Sequence, residues 1–359
     1  MKVLMQTRPD IYKRGGGDFI QMSKTKEFLE KLNVEIDIST DSKAKLKYYD
    51  VVHIFNTPFF DHSYACLINA KNQGKPIAFS TIYWNQEELA LECYKGKFQL
   101  LKNFLGKRLG KQIVRLKNEL SKNGQLFKKI LHESDVLLPN SEVEKKFLIK
   151  DFYLDADKKF VIVPNAVDSK LFIKLNPLEF VKRYKVKDFI LCVGRIECRK
   201  NQHNLIEALN GTKVPLVLVG STEFDKDYYQ LCLEKAKQRD NVIFINDLPH
   251  DQLPSVYAAA KVHALPSWYD TPGLSNLEAI LANCNIVTTD RGPMYEYFQD
   301  MVWLCAPGDL DSIKRAVFKA YEAPFNQKLK DFIIENFTWQ KTAQKTLDAY
   351  RLIFKNKNP

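Results

Sequence analysis

Residues 262–279 read VHALPSWYDTPGLSNLEA, and this stretch decides the fold class. Its apolar run Val262–Leu265 predicts a buried strand, Pro272 and Gly273 predict a loop, and a helix is expected to begin near Leu274. A buried strand that passes through a loop into a helix is the repeating unit of a parallel α/β sheet.

The same alternation extends in both directions along the chain. Further strands are predicted at residues 3–6, 34–39, 51–55, 76–82, 189–193, 215–219, 242–245 and 285–288. Pro164 and Pro177 punctuate residues 165–186, which we interpret as a linker. We therefore predict an α/β fold of two Rossmann-like, doubly wound domains that face a central cleft. Ligands of such sheets bind beyond the carboxyl ends of the strands.

The start of the helix near Leu274 is a candidate anion site. Its first N–H groups have no partner within the helix and lie at the positive end of the helix dipole, which suits a phosphate. Ser275 adds a hydroxyl, and Glu278, one turn later, can accept hydrogen bonds from ribose hydroxyls. A helix whose acidic residue only complements its own dipole is the alternative interpretation.

A second candidate lies upstream, where residues 193–201 read VGRIECRKN. Gly194 ends a predicted strand, and Arg195 and Lys200 follow in the loop that opens the next helix. Two cations beside a cleft can neutralise a diphosphate leaving group without a metal ion. A solvated basic turn would show the same spacing.

Composition narrows the class of protein. The chain has 359 residues, which is comfortable for two domains. No apolar run reaches the roughly 18 residues that a membrane span needs, and residues 1–7 lack the form of a signal peptide, so a cytoplasmic location is expected. The cysteines form no C-x-x-C pair, and a zinc site is therefore not indicated.

The net charge of +11 is uneven, with +9 on residues 1–174. A basic half implies an anionic partner: nucleic acid, a phospholipid surface or a phosphorylated substrate. Residues 102–129 carry nine Lys and Arg, among them Lys107, Arg108, Lys111 and Arg115. Apolar residues recur there near helical spacing, at positions 101, 105, 109, 113, 116 and 120. This pattern fits a helix on an anionic membrane surface, and equally a solvated helix that packs its leucines on the core.

Taken together, these motifs resemble those of glycosyltransferase family 4. The similarity rests on Gly194-Arg195 with Lys200, Val219-Gly220, Leu253–Ala260, Leu265–Ser267, and Asp270 followed by Glu278. Fainter matches are the glycine-rich loop Gly15–Asp18, the run Asp50–Phe55, Val163–Asp168 with Ala166 for the usual Gly, and Phe337–Trp339.

The resemblance implies the GT-B fold. It implies an acceptor-binding domain at residues 1–170, a nucleotide-sugar-binding domain at residues 171–340, and a helix at residues 341–359 that returns to the first domain. Arg195 and Lys200 would hold the donor diphosphate, Asp270 would contact the donor sugar, and Glu278 would bind ribose. The other implied donor-binding residues are Gly16, Gly17, Gly194, Gly220, Asp247, Leu248, Gly273, Leu274 and Ser275.

The chain departs from the family pattern at two places. Asp270 stands where Glu is usual and is one methylene shorter, so the donor-sugar pocket is expected to differ. No His occurs in residues 80–85, where the family often has one. We therefore assign no His a catalytic role and interpret His53 as a core residue with its hydrogen bonds satisfied.

The resemblance implies a retaining, metal-independent hexosyltransferase of polysaccharide or lipopolysaccharide biosynthesis. Its expected partners are a nucleotide-sugar donor, a glycan acceptor attached to a lipid, and the inner face of the cytoplasmic membrane; neither a cofactor nor nucleic acid is expected. One alternative is a GT-B protein that binds nucleotide sugar without transferring it. The other is a basic nucleic-acid-binding protein, although the basic stretch lacks interleaved aromatic residues.

Overall fold

The computed structural model describes residues 1–13, 16–55, 58–93, 97–155, 157–246 and 248–354. The chain forms two compact units: Met1–Ala166 with Trp339–Pro359, and Val167–Thr338. The observed boundaries therefore lie four and two residues before those expected at positions 170 and 340. Two residues singled out from the sequence, Gly15 and Asp247, lie outside the described residues.

The first unit is built on a five-stranded sheet of order β2-β1-β3-β4-β5, in which every neighbouring pair is parallel. Its strands are β1 (Lys2–Gln6), β2 (Glu35–Ser39), β3 (Val51–Phe55), β4 (Ile77–Ser80) and β5 (Val136–Leu138). Its helices are α1 (Gly17–Glu30), α2 (Phe60–Asn72), α3 (Glu87–Cys93), α4 (Lys97–Leu120), α5 (Lys122–Glu133) and α6 (Glu142–Phe152). Successive strand residues enter two different apolar clusters, one shared with α1 and the other with α2, α5 and α6.

The second unit repeats this plan with a six-stranded parallel sheet of order β11-β10-β9-β6-β7-β8. Its strands are β6 (Phe189–Val193), β7 (Leu216–Val219), β8 (Val242–Ile245), β9 (Ala260–Leu265), β10 (Asn285–Thr289) and β11 (Trp303–Cys305). Its helices are α7 (Pro177–Tyr184), α8 (Gln202–Ala208), α9 (Lys226–Ala236), α10 (Leu253–Ala259), α11 (Leu274–Leu281), α12 (Met294–Phe298), α13 (Leu310–Glu322) and α14 (Gln327–Asn336). Apolar clusters cover both faces of this sheet as well. The predicted pair of parallel, doubly wound sheets is confirmed.

The last helix, α15 (Trp339–Phe354), packs on the first unit, as predicted for a returning C-terminal helix. The hydroxyl of Thr342 donates to the carbonyl of Pro164 at 2.8 Å. The hydroxyl of Tyr350 lies 2.7 Å from Nδ1 of His53, whose Nε2 lies 2.9 Å from Oγ of Ser80. Burial lowers the pKa of His53 to about 3. The interpretation of His53 as a satisfied core residue is confirmed.

The linker interpretation of residues 165–186 is wrong over part of its length. Pro177–Tyr184 forms α7, with Pro177 in the first turn, where a missing N–H costs nothing, and with Phe180 buried. The three-residue strands β5 and β11 were also absent from the prediction. No helix among the described residues is long and apolar enough to cross a membrane.

Candidate functional site

The loop that leads into α11 has the predicted form. The helix begins at Leu274, directly after Gly273, whose φ of 85° is strained for any residue with a side chain. A Cβ at Gly273 would lie 3.1 Å from Nδ2 of Asn276 and from Cδ2 of Leu265. Glycine thus lets the first turn of α11 approach the end of β9, with Leu274 and Ser275 half-buried there.

Asp270 and Lys200 form a buried ion pair at this loop. Nζ of Lys200 donates to Oδ2 of Asp270 at 2.6 Å. Oγ of Ser267 donates to the same oxygen at 3.2 Å, and the N–H of Thr271 donates to Oδ1 at 3.1 Å. Burial would raise the pKa of Asp270, but the charges of Lys200 and Arg199 lower it overall. The carboxyl of Asp270 is therefore ionised.

This pair belongs to a longer charge chain, defined here as Arg195, Glu197, Arg199, Asp270 and Lys200. Nη1 of Arg199 lies 3.7 Å from Oδ2 of Asp270, and its Nη2 donates to Oε1 of Glu197 at 2.7 Å. Nη2 of Arg195 lies 3.6 Å from the same oxygen of Glu197. The structure thus joins the two predicted diphosphate cations through Asp270 and through two residues that the sequence analysis did not assign, Glu197 and Arg199. The sequence signal that could have revealed them is the alternating charge of residues 195, 197 and 199.

The two predicted cations differ in how freely they can meet a ligand. The side chain of Arg195 is 41% exposed, and its guanidinium carbon lies 4.5 Å from the ring centre of Phe224. The side chain of Lys200 is 11% exposed and already has Asp270 as its partner. Arg195 can therefore contact an anion directly, whereas Lys200 must share its ammonium group.

Gly194 and Gly220 bring the loops after β6 and β7 into contact. A Cβ on Gly220 would lie 2.2 Å from the carbonyl oxygen of Gly194. Gly220 also has a φ of 150°, and the N–H of Gly194 donates to the carbonyl of Val219 at 2.9 Å. Gly220 is thus required for packing beneath the charge chain, a role that its assignment to donor binding did not anticipate.

Glu278 has a hydrogen-bond partner on each carboxylate oxygen. The hydroxyl of Tyr257 donates to Oε2 at 2.9 Å, and Nε2 of His250 donates to Oε1 at 2.9 Å. Tyr257 is fully buried, whereas the side chain of His250 is 46% exposed. Oε1 therefore lies on the accessible side of the carboxylate. Neither Tyr257 nor His250 was predicted, because their respective distances of 21 and 28 residues from Glu278 carry no local signal.

A buried polar network fixes α11 against the sheet. The N–H of Val193 donates to Nε2 of His263 at 3.2 Å, so Nδ1 carries the proton and donates to Oδ1 of Asn276 at 3.0 Å. Nδ2 of Asn276 in turn donates to the carbonyl of Pro272 at 2.8 Å and to Oγ1 of Thr288 at 3.2 Å. Burial lowers the pKa of His263 to about 3, which keeps this ring neutral.

Leu248, one of the implied donor-binding residues, is half-buried and packs against the apolar core of the second unit. In the first unit, Gly16 and Gly17 lie at the start of α1. Nε of Arg8 donates to Oδ2 of Asp18 at 2.8 Å and thereby ties this loop to the segment that follows β1. Arg8 is a further residue that the sequence analysis did not assign.

Most of the predicted membrane cations of the basic helix α4 are paired with carboxylates of the first unit. Nζ of Lys107 lies 2.7 Å from Glu88, and Nζ of Lys111 lies 3.2 Å from the same carboxylate. Arg115 pairs with Glu119 at 3.2 Å and with Asp151 at 3.4 Å, while Arg108 is exposed. Three of the four predicted membrane cations therefore have carboxylate partners within the first unit.

The interpretation in which α4 packs its leucines on the core is wrong for the four leucines whose side chains the structure describes. Leu105, Leu109, Leu116 and Leu120 are between 43% and 67% exposed. The helix instead buries Gly110 and Val114 against α3, and a Cβ on Gly110 would lie 3.1 Å from Cδ2 of Leu91. Leu109, Leu116 and Leu120 consequently form an apolar stripe on the solvent side, here called the leucine stripe.

Residues 178–339 match the family model of glycosyl transferases group 1. O-antigen chain mannosyltransferase B of Escherichia coli is 24% identical over 244 residues, which cover 63% of this chain and 64% of that protein. The MMP alpha-(1->4)-mannosyltransferase of Mycolicibacterium hassiacum is 25% identical over 239 residues, covering 63% of this chain and 56% of that protein. The chain thus spans less than two thirds of these relatives.

Two solved structures are similar over nearly the whole chain. Sucrose-phosphate synthase from Thermosynechococcus elongatus has a TM-score of 0.76 at 15% identity, covering 99% of this chain and 100% of that one. Anabaena HepE in complex with UDP-glucose has a TM-score of 0.73 at 17% identity, covering 98% of this chain and 100% of that one. With the two parallel sheets and the returning helix, these similarities show that the chain has the GT-B fold.

Proposed function

We propose that this protein is a retaining glycosyltransferase that moves a hexose from a nucleotide-diphosphate donor to a hydroxyl of a surface-glycan acceptor. The observation that carries the proposal is the charge chain beside the start of α11, with Glu278 one turn into that helix. Cations and helix N–H groups suit a diphosphate, and a carboxylate suits the ribose. The match to glycosyl transferases group 1 and the mannosyltransferase relatives support the same reaction class.

In the proposed reaction the C1–O bond to the diphosphate breaks, and the acceptor oxygen bonds to C1 on the same face of the sugar. Arg195 and Lys200 stabilise the negative charge that develops on the leaving diphosphate. A leaving phosphate oxygen takes the proton of the acceptor hydroxyl. Lys200 is already paired with Asp270, so it stabilises the diphosphate only as far as its ammonium group can contact both anions. In this proposal the cations perform the neutralisation, so no divalent metal is required.

Product analysis with a panel of donors tests this proposal. UDP-, GDP- and ADP-hexoses are incubated with the protein and a soluble acceptor glycoside, in EDTA and with manganese, and release of the nucleoside diphosphate is followed. We expect one donor to be consumed equally in both conditions. NMR of the product is expected to show the anomeric configuration of the donor. An inverted product, or turnover that appears only with manganese, would overturn the retaining or the metal-independent part of the proposal.

Donor binding without transfer is the alternative that one observation favours. Asp270 stands 2.6 Å from Lys200 and could keep that ammonium from the diphosphate. Under this alternative, calorimetry detects nucleotide-sugar binding while neither hydrolysis nor transfer exceeds the uncatalysed rate. Turnover that depends on Arg195 and Lys200 excludes it.

We further propose that the protein acts at the inner face of the cytoplasmic membrane on an acceptor attached to a lipid. The leucine stripe is an apolar surface on a basic helix, with Arg108 exposed on the same element. Such a helix can lie in a bilayer interface with its leucines among the acyl chains and its cations at anionic headgroups. The leucines, rather than the paired Lys107 and Lys111, would supply most of the binding.

A further inference from the structure

A cavity of 290 Å³ opens into the first unit. Its wall is formed by the segment after β4, the end of α4, the start of α5 and the end of α6. In the sheet, β4 is two strands from β1, whose following loop holds Gly16. Neighbouring strands are about 4.8 Å apart, so the segment after β4 starts roughly 10 Å from the point where that loop leaves β1.

The floor of the cavity is aromatic. The ring of Tyr83 stacks on Phe127 with centroids 5.7 Å apart, and it meets the edge of Phe152 at 5.1 Å. Phe60 lies 5.5 Å from Phe127, and all four rings line the space. The four rings contact one another in the stacked and edge-on arrangements that aromatic rings prefer, so the floor is preformed.

The rim is polar and acidic. Asp151 accepts hydrogen bonds from the hydroxyl of Tyr83 at 2.9 Å and from Nδ2 of Asn85 at 3.2 Å. Glu87 and Glu119 also line the cavity. Among the residues that line it, Arg115 alone carries a positive charge. Three carboxylates against one guanidinium repel an anion, and they offer several acceptors to a ligand with hydroxyl groups.

We propose that this cavity is a sugar-binding subsite that holds a neutral unit of the acceptor glycan beyond the unit that reacts. A pyranose has an apolar C–H face that fits an aromatic floor and a ring of hydroxyls that fits carboxylate and amide acceptors. The acidic rim excludes a nucleotide or a phosphorylated sugar. The acceptor role rests on the proposed function, whereas the binding of a neutral sugar does not.

Ligand-observed NMR on the whole protein tests the subsite with four probes that share one ring. Methyl α-D-glucoside and methyl α-D-mannoside are neutral, the methyl glucuronide carries a carboxylate, and the methyl glucosaminide carries an amine. We expect both neutral glycosides to bind and the glucuronide to bind at least ten-fold more weakly. Binding of the amine alone would identify a cation site and overturn the proposal.

Two kinds of variant place the binding in this cavity. Asn118→Trp puts a large ring into the opening and is expected to weaken glycoside binding at least ten-fold. Glu119→Gln and Asn123→Ala each remove a polar group from the rim, and each lost hydrogen bond is expected to weaken glycoside binding about five-fold. Matched changes on exposed residues outside the lining, Glu142→Gln and Gln125→Ala, are expected to have no effect.

Unfolding midpoints of all the variants confirm that they are folded before binding is compared. Glycoside binding that survives Asn118→Trp in the folded protein overturns the subsite. Glycoside binding without turnover of any nucleotide sugar would defeat the proposed function and leave the subsite standing. Turnover without glycoside binding would do the reverse.

Discussion

Nζ of Lys200 lies 2.6 Å from Oδ2 of Asp270, and each side chain is about one tenth exposed. Removing one member of such a pair leaves a buried charge, which costs about 3–5 kcal/mol, whereas replacing both by apolar residues is often neutral. We therefore expect Asp270→Ala to lower the unfolding midpoint sharply and Lys200→Met with Asp270→Leu to recover most of it. A double variant no more stable than Asp270→Ala would show that the pair has no such coupling.

Arg195 should affect turnover without affecting stability. Its side chain is 41% exposed, so Arg195→Ala leaves no buried charge. If it stabilises the leaving diphosphate, the change costs about 3 kcal/mol, or roughly 10²-fold in kcat. The exposed Arg315 on α13 provides the matched control, Arg315→Ala, which should retain full activity. Near-normal turnover in the Arg195 variant would remove this residue from the site.

Glu278→Ala is expected to weaken binding of the nucleoside diphosphate about ten-fold or more, because the ribose hydroxyls lose a charged acceptor. Tyr257→Phe removes only the donor to Oε2 and leaves the accessible Oε1 in place. Its effect on affinity should therefore be several-fold smaller. Calorimetric titration of both variants measures the difference, and equal affinities in wild type and Glu278→Ala would refute the ribose assignment.

The leucine stripe should control binding to anionic vesicles. Burying a leucine contributes about 1.5–3 kcal/mol, so Leu109→Ser with Leu116→Ser and Leu120→Ser should release the protein from phosphatidylglycerol vesicles in co-sedimentation. The exposed Leu178 of α7 gives a matched control, Leu178→Ser. Reversing Lys107 or Lys111 is a poorer test, because their partner Glu88 holds α3 against α4. Co-sedimentation of the triple variant at the wild-type level would refute the membrane proposal.

Acid should destabilise the fold through its buried histidines. The pKa of His263 is about 3 in the folded chain, and that of an unfolded His is about 6.5. Below pH ~6.5 the unfolded chain binds a proton that the buried ring of the native chain does not bind. The free energy of unfolding therefore falls toward pH 3 by up to about 1.4 kcal/mol per pH unit. His53 acts in the same direction.

Glu144 opposes this trend. Burial raises its pKa to about 7, so between that pH and the unfolded value the native carboxyl keeps a proton that the unfolded chain has lost. Glu144 therefore raises the free energy of unfolding as the pH falls through 7, but the two histidines together lower it by more.

His263→Phe should lower the unfolding midpoint at pH 7 and differ less from wild type at pH 5. A constant difference would contradict the neutral assignment.

Periodicity predicted the sheet because most strands are continuous apolar runs, as Phe189–Val193 is. It could not predict β5, whose three residues are too few to show a period. The linker interpretation failed at Pro177 because a proline can mark either the end of a helical pattern or the first turn of a helix, as it does here. For the site, residue type located Lys200, Asp270 and Glu278, but their partners depend on tertiary contacts that no local spacing encodes.

The leucines of α4 show another limit of a pattern. The helical spacing holds from Lys107 to Leu120, but Gly106, with a φ of 75°, interrupts α4, and Ser121 separates α4 from α5. Spacing also does not say which face of a helix is buried. Gly110 lets α4 approach Leu91 closely, and the buried face is therefore the one with the smaller residues. A hydrophobicity pattern assigns such a face to solvent, because the contact depends on the absence of a side chain.

The return of α15 to the first unit has a consequence for the order of events during synthesis. On the ribosome, the chain of Val167–Thr338 emerges between the two parts of the first unit. The second unit can thus complete its core while the first still lacks the helix that carries Tyr350 and covers one face of its sheet. A nascent chain arrested shortly before Trp339 would expose that face, and chaperones would be expected to bind there.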